Sequence, residues 1–292
     1  MPEYSIKDLE KLSNIKAHTI RIWEKRYGII KPDRTATNRR RYTDHDLRKL
    51  INISILNRKG YKISNIAALT LDEMEEKVSN ISRDINQSDV QIESLVMAMI
   101  NLDERAFSDL VNRSILERGL EDTFTGIIFP FLERVGVLWL TGSITPAQEH
   151  FVSNLVRQKL FANIDSQMTT RIPDRKKVLL FLPENELHEI GLLFYTYITR
   201  KSGHDVLYLG PQTPLDSVRK LIKTWKADIL VTASSSGFSG ISNDEYILTL
   251  SGAFRDQLII VSGDLARNTK VKLPRNVRTV DTPGEYLNLL IK

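Results

Sequence analysis

The stretch Pro183–Leu192, PENELHEIGL, sets a histidine two residues after a glutamate and three before a glycine, directly behind the apolar run KVLLFL. A histidine in that place is either a solvated loop residue or a metal ligand. A zinc site built by the protein itself needs further His or Cys ligands; none flank His188, and the chain has no cysteine. A lone His suits one metal role better, the axial ligand of a metal already held in a macrocycle. Glu186 would then hold the ring tautomer and raise its basicity, and Gly191 would let the next helix start close to a bulky ligand. On the residues alone both readings stand. Two other places carry chemistry. The tract NRRRY sets three arginines beside a tyrosine, suited to straddling phosphates. Trp139 and the pair Glu149-His150 read, taken by themselves, as a core aromatic and an exposed first helical turn with Glu149 at the positive helix end.

These residues need elements to hold them. In the first 70 residues, Ser5 with Asp8 reads as the cap of a short helix, SIKDLEKL, whose Ile6, Leu9 and Leu12 face inward. A second helix, AHTIRIWEKRYG, has Ile20, Trp23 and Tyr27 at helical spacing to pack on the first, with Arg21 and Lys25 turned elsewhere. Gly28 ends it. Two short helices, a tight turn and a basic second helix make a helix-turn-helix pattern. The NRRRY tract then reads as the strand of a wing, and Thr43 with Asp46 as the start of a third helix. Charge agrees with this reading. Residues 1–60 hold 15 Lys and Arg against 7 Asp and Glu, a net +8, whereas the whole chain is +5, leaving −3 for the rest. A basic head on a mildly acidic body points to a polyanionic partner.

Beyond the head, LDEMEEKVSNISRDINQSD reads as a helical linker, followed by four amphipathic helices between residues 89 and 164. Thr145, Pro146 and Gln148 mark the start of the last of these, and Pro130 is expected to kink its helix. Short joins predict an antiparallel four-helix bundle. From residue 177 five apolar strands alternate with helices, which predicts a doubly wound, flavodoxin-like parallel sheet. Ligands of such sheets bind outside the carboxyl ends of the strands, which is where PENELHEIGL falls. The expected fold is therefore multidomain, α and α/β: a winged helix-turn-helix over 1–75, a helical linker and bundle over 76–170, and the α/β domain over 171–292. At 292 residues, 41% hydrophobic and 26% charged, the composition is that of a globular protein. The N-terminus is polar and no 18-residue apolar run is evident, so a cytoplasmic location without membrane contact is expected.

TIRIWEKRYG followed by NRRRYTDHDLRKL resembles the N-terminal domain of MerR-family transcription regulators. The resemblance implies DNA contacts from His18, Thr19 and Arg21 and wing contacts from Arg40, Arg41 and Tyr42, with binding to double-stranded DNA as a dimer. Metal-sensing members use Cys ligands, which this chain lacks, so the signal is something else. The string Glu186-Leu187-His188-Glu189-Ile190-Gly191 resembles the Asp-x-His-x-x-Gly loop of cobalamin-binding domains. Trp139 with Glu149-His150 resembles the helical cap of light-responsive, adenosylcobalamin-binding MerR-type repressors of carotenoid genes. The resemblance spans nearly the whole chain in the same domain order.

Cobalamin, with the adenosyl form favoured, is the implied cofactor, and His188 the implied lower ligand of its cobalt. Ser235, Ser236, Ser262 and Gly263 fall where the family's serine and paired-glycine motifs contact the cofactor. Three departures stand out. Glu186 replaces Asp, no Leu follows the serines of TASSSGFSG, and Ser262 replaces a glycine, where its side chain could crowd the nucleotide tail. The resemblance thus implies a regulator rather than an enzyme: a repressor that senses light or cobalamin, acting as a homodimer or tetramer and open to a protein antirepressor. The alternative is a MerR-type regulator whose last domain has lost the cofactor and serves oligomerisation or partner binding.

Overall fold

The computed structural model describes residues 4–34, 40–82, 88–140, 142–167, 172–235 and 241–291. It separates into two compact units, Met1–Leu155 and Val156–Lys292.

The first unit begins with the expected head. Helix α1 (Ile6–Ser13) opens on a capping box: Ser5 Oγ accepts the Asp8 N–H, and Asp8 Oδ2 accepts the Ser5 N–H at 2.8 Å. Helix α2 (Ala17–Tyr27) ends at Gly28, whose φ of 61° is the left-handed conformation glycine takes without strain. Of its three inward candidates, Ile20 is fully buried while Trp23 and Tyr27 are half-buried. Strands β1 (Asp33–Arg34) and β2 (Arg40–Arg41) pair antiparallel as the wing. Beside them Tyr4 and Tyr42 exchange backbone hydrogen bonds of 2.8 and 3.0 Å. Thr43 and Asp46 form a second capping box at the start of α3 (Asp44–Arg58). Helices α4 (Ile63–Ile66) and α5 (Leu71–Ser82) complete the head.

The bundle follows as α6 (Ser88–Ile100), α7 (Glu104–Arg118), α8 (Leu120–Thr123), a π turn (Phe124–Ile128), α9 (Phe129–Leu140) and α10 (Pro146–Asp165). Pro130 has no N–H to give the residue four before it, and its ring crowds that carbonyl. The chain answers with the wider π turn immediately ahead of it. The stretch Leu120–Leu140 is long and apolar enough to cross a membrane by length and composition. Here its apolar side chains serve the bundle: Phe124, Ile127, Ile128, Phe131, Val135 and Leu138 are buried, and the Phe107 and Phe131 rings lie 5.7 Å apart. Head and bundle are tied by ion pairs from Arg58 to Glu93 (3.6 Å) and Lys59 to Asp89 (3.1 Å). Arg134 of α9 also donates to the Lys11 carbonyl at the end of α1. Thr145 and Gln148 form the expected capping box of α10.

The second unit takes the end of α10 from Val156 onward and holds β3 (Lys177–Phe181), α11 (Ile190–Lys201), β4 (Asp205–Gly210), α12 (Leu215–Trp225), β5 (Ile229–Ser234), α13 (Asn243–Ala253), β6 (Leu258–Gly263), α14 (Asp264–Arg267), β7 (Val277–Val280) and α15 (Pro283–Ile291). All neighbouring strands are parallel, in the order β4-β3-β5-β6-β7. That is the flavodoxin-like order, whose direction reverses at β3 and opens a crevice between the carboxyl ends of β3 and β5. Val178–Phe181 and Ile229–Val231 are buried throughout, as strands covered on both faces must be.

Candidate functional site

The loop leaving β3 lies at that crevice. Leu182 N–H reaches across to the Gly210 carbonyl at 2.9 Å, holding the strand end against β4. Asn185 then takes a φ of 69° and turns the chain back, so the Glu186 side chain goes inward and is only 4% exposed. Its Oε1 accepts the backbone N–H groups of Leu187 and His188, both at 2.9 Å, and lies 2.7 Å from His188 Nδ1. Its Oε2 accepts the Ser235 N–H at 2.7 Å and the Ser235 hydroxyl at 3.1 Å. Ser235 Oγ is also 2.8 Å from His188 Nδ1. The longer Glu side chain therefore still meets the ring, because it curls back over its own loop.

Burial opposes a charge on Glu186, but the His188 ring and the backbone N–H groups of His188 and Ser235 outweigh it and hold the carboxyl at about 2. A carboxylate ionised at every ordinary pH is a steady acceptor for Nδ1–H, and a proton on Nδ1 leaves the lone pair on Nε2. The His188 side chain is 71% exposed although one edge is fixed. A histidine oriented at Nδ1 by a carboxylate, with most of its side chain exposed, suits the role of a ligand. Among the described residues no group of three His, Asp or Glu side chains could hold a metal ion; this histidine suits a metal that arrives with its other ligands. Gly191 sits one residue into α11, and a Cβ there would meet no protein atom within 4 Å. Packing within the chain does not require that glycine, and the open space above it suits a bulky group.

The other candidates divide. Gly263 has a φ of 71°, and a Cβ would fall 2.3 Å from the Ser234 carbonyl oxygen, so the neighbouring strand demands glycine whatever binds. Ser262 is buried, close enough to Tyr195 of α11 to act on its hydroxyl. Burial pushes the Tyr195 hydroxyl up to about 12. The serine side chain is thus packed inside the domain. Ser236 lies outside the described residues. In the first unit Trp139, near the end of α9, is 51% exposed; the reading as a core aromatic does not hold, because the helix turns this face out of the bundle. Glu149 accepts the Ser153 hydroxyl at 2.5 Å, and His150 Nε2 lies 3.5 Å from Glu149 Oε2 on the exposed side of α10.

In the head, His18 and Arg21 are exposed on α2, with Thr19 half-buried beside them and its hydroxyl 3.3 Å from His18 Nε2. Ile22 and Lys25 share the stripe at i, i+3, i+4 and i+7, and Ile22 is an exposed apolar residue the sequence reading passed over. Arg41 is exposed on the wing, while Arg40 is pinned to Glu24 of α2 at 3.1 Å. Tyr42 requires a correction. Its side chain is fully buried, and its hydroxyl has no hydrogen-bond partner among the described residues. Its backbone is held by Tyr4, which turns the ring into the core, so it supports the wing from within rather than touching a phosphate directly.

One cluster was not legible beforehand. Glu189, next to His188, is buried and pairs with Arg157 of α10 and with the Tyr208 hydroxyl of β4. Burial and that carboxylate push the Tyr208 hydroxyl far above its ordinary range. In sequence Glu189 looks like an ordinary acidic helix start and Arg157 like a surface residue.

Residues 4–72 match the family model for the MerR HTH family regulatory protein, and residues 91–162 match the B12 binding domain. The chain is 29% identical to the HTH-type transcriptional repressor CarH of Myxococcus xanthus, over 91% of this chain and 90% of that protein. It is 24% identical to the HTH-type transcriptional repressor CarA of the same organism, over 77% of this chain and 74% of that one. In fold it resembles the monomethylamine corrinoid protein of Methanosarcina barkeri, with a TM-score of 0.50 and 15% identity over 66% of this chain and 92% of the other. A head that matches the MerR HTH model, helices that match the B12 binding domain and a flavodoxin-like sheet, in this order, are the parts of a DNA-binding transcription regulator with a cobalamin-binding domain.

Proposed function

We propose that the chain is a repressor that responds to cobalamin, with His188 as the residue that would ligate its cobalt. The observation that carries this reading is the buried Glu186 carboxylate at 2.7 Å from His188 Nδ1, which leaves the rest of an exposed ring turned outward. When bound, an adenosylcobalamin would supply a cobalt–carbon bond that light can break. The chain's own residues do the remaining work. Glu186 and Ser235 orient His188, Gly191 keeps the start of α11 clear, and Trp139, Glu149 and His150 are the further residues that would contact the cofactor. Residues 1–75 bind operator DNA through His18, Thr19, Arg21, Arg40 and Arg41. Residues 76–170 act as linker and cap, and residues 171–292 as the cofactor-binding domain. The protein works in the cytoplasm, where its DNA is, as a homodimer or tetramer. A protein antirepressor is a further candidate partner.

The test is to incubate purified protein with hydroxocobalamin in the dark and record its visible spectrum. The expected result is a coloured protein with a histidine-ligated spectrum, lost in His188→Ala. Identical spectra and affinities for the two proteins would return His188 to the role of a loop residue. One observation favours the alternative of an oligomerisation module without cofactor: Ser262, where the family has glycine, is a buried serine. A wild-type protein that stays colourless would decide for it.

A further inference from the structure

Glu189 holds a carboxylate that the helix it begins does not use. It stands at the N-cap of α11, a position where Ser, Thr, Asp or Asn side chains accept from the first N–H groups of the helix. It makes no such bond. Both oxygens are directed elsewhere: Oε1 pairs with the Arg157 guanidinium of α10, and Oε2 accepts the Tyr208 hydroxyl from β4. Arg157 in turn lies over the Phe161 ring, 6.0 Å from its centroid. The carboxylate side chain is 4% exposed. A buried carboxylate persists only when it is paired and hydrogen-bonded, and removing one partner leaves an uncompensated charge. The three side chains therefore form a joint that is either made or broken.

Its position gives it a use. Glu189 is the residue after His188, and its backbone N–H bonds the Leu187 carbonyl at 2.9 Å, so the joint grips the ligand loop itself. Arg157 belongs to the continuous helix α10, which also bears Glu149 and His150. His150 and Arg157 are seven residues apart, about two turns along one face of that helix. We propose that Arg157 and Tyr208 are positioning residues which, through Glu189, make the His188 loop and helix α10 move as one piece. A displacement at His188 is thereby delivered to the helix that carries Glu149 and His150. This rests on the reading of His188 as the ligand, and it adds the route by which occupancy reaches the rest of the chain.

Hydrogen exchange followed by mass spectrometry on the full chain tests it, with wild type, Arg157→Met, Arg157→Lys and Tyr208→Phe, each with and without hydroxocobalamin. Tyr208→Phe keeps the ring packing, so it remains informative should the arginine variants fold poorly. Without ligand, Arg157→Met and Tyr208→Phe are expected to speed exchange in peptides covering residues 184–190 severalfold, with Arg157→Lys intermediate. With hydroxocobalamin, wild type should slow exchange in both 184–190 and 156–165, whereas Arg157→Met should slow it in 184–190 alone. Unchanged exchange in the ligand-free variants would overturn the joint. An equal response of both segments in wild type and Arg157→Met would overturn the coupling. If wild type takes up no hydroxocobalamin, the proposed function fails instead, and the ligand-free comparison still decides the joint.

Discussion

Replacing Glu186 by Gln tests the electrostatics of the loop most directly. The carboxylate accepts from three backbone N–H groups and the Ser235 hydroxyl, and it meets the His188 ring. An amide of the same shape has one acceptor oxygen and turns an NH2 group towards donors. The carboxyl lies at about 2 in the folded protein against 4.5 for the free group. At about 1.4 kcal/mol for each tenfold change, that depression corresponds to roughly 3 kcal/mol of stability at neutral pH. The folded value is lowered, so the contribution is fully present above about pH 4.5 and is lost as pH falls towards 2. The assay is urea unfolding followed by Trp225 fluorescence, with Trp23 and Trp139 replaced by Phe so that the α/β unit alone reports. Glu186→Gln should destabilise by roughly 2–3 kcal/mol at pH 7, with the gap narrowing steadily below pH 4.5. A gap under about 0.5 kcal/mol at pH 7, or one that does not change with pH, would refute the argument. The same variant should bind hydroxocobalamin about 10- to 100-fold more weakly, because an unoriented imidazole is a poorer ligand.

Gly263→Ala should destabilise the α/β unit by more than about 3 kcal/mol, since the new methyl meets a carbonyl oxygen on the adjacent strand and the backbone angle is strained; a melting temperature equal to wild type would contradict this. Tyr42→Phe removes a buried hydroxyl that has no partner among the described residues, so stability should be unchanged or higher by up to about 1 kcal/mol and DNA affinity unaffected. A large loss of affinity in gel-shift titrations would restore Tyr42 as a direct contact. Arg41→Ala should weaken binding to all DNA sequences and reduce the salt slope by about 1, whereas changes at Arg21 or Ile22 should alter site preference. Light scattering after size exclusion should show a larger assembly with adenosylcobalamin in the dark than in its absence, reversed by green light. Such a shift requires the ligand to bind the two assemblies with different affinity, and equal masses in all three conditions would count against it.

What the sequence alone determined is whatever depends on neighbours in the chain. The capping boxes Ser5–Asp8, Thr43–Asp46 and Thr145–Gln148 are four-residue geometries, so each helix start was legible before any packing was considered. The five strands were legible because a strand buried on both faces must be apolar throughout, and their alternation with helices leaves a parallel sheet as the natural arrangement. The Glu-x-His spacing set a carboxylate within reach of a ring. Tertiary structure alone decided the rest, because it turns on which distant groups converge. Ser235 completes the acceptor set of Glu186 from a residue 49 positions away. Tyr42 goes inward because Tyr4, far earlier in the chain, pairs with its backbone, and an Arg-Arg-Tyr tract carries no sign of that. Glu189 meets Arg157 and Tyr208 from three separate elements. A sequence records that an acid and a base exist; only burial and juxtaposition make them a pair.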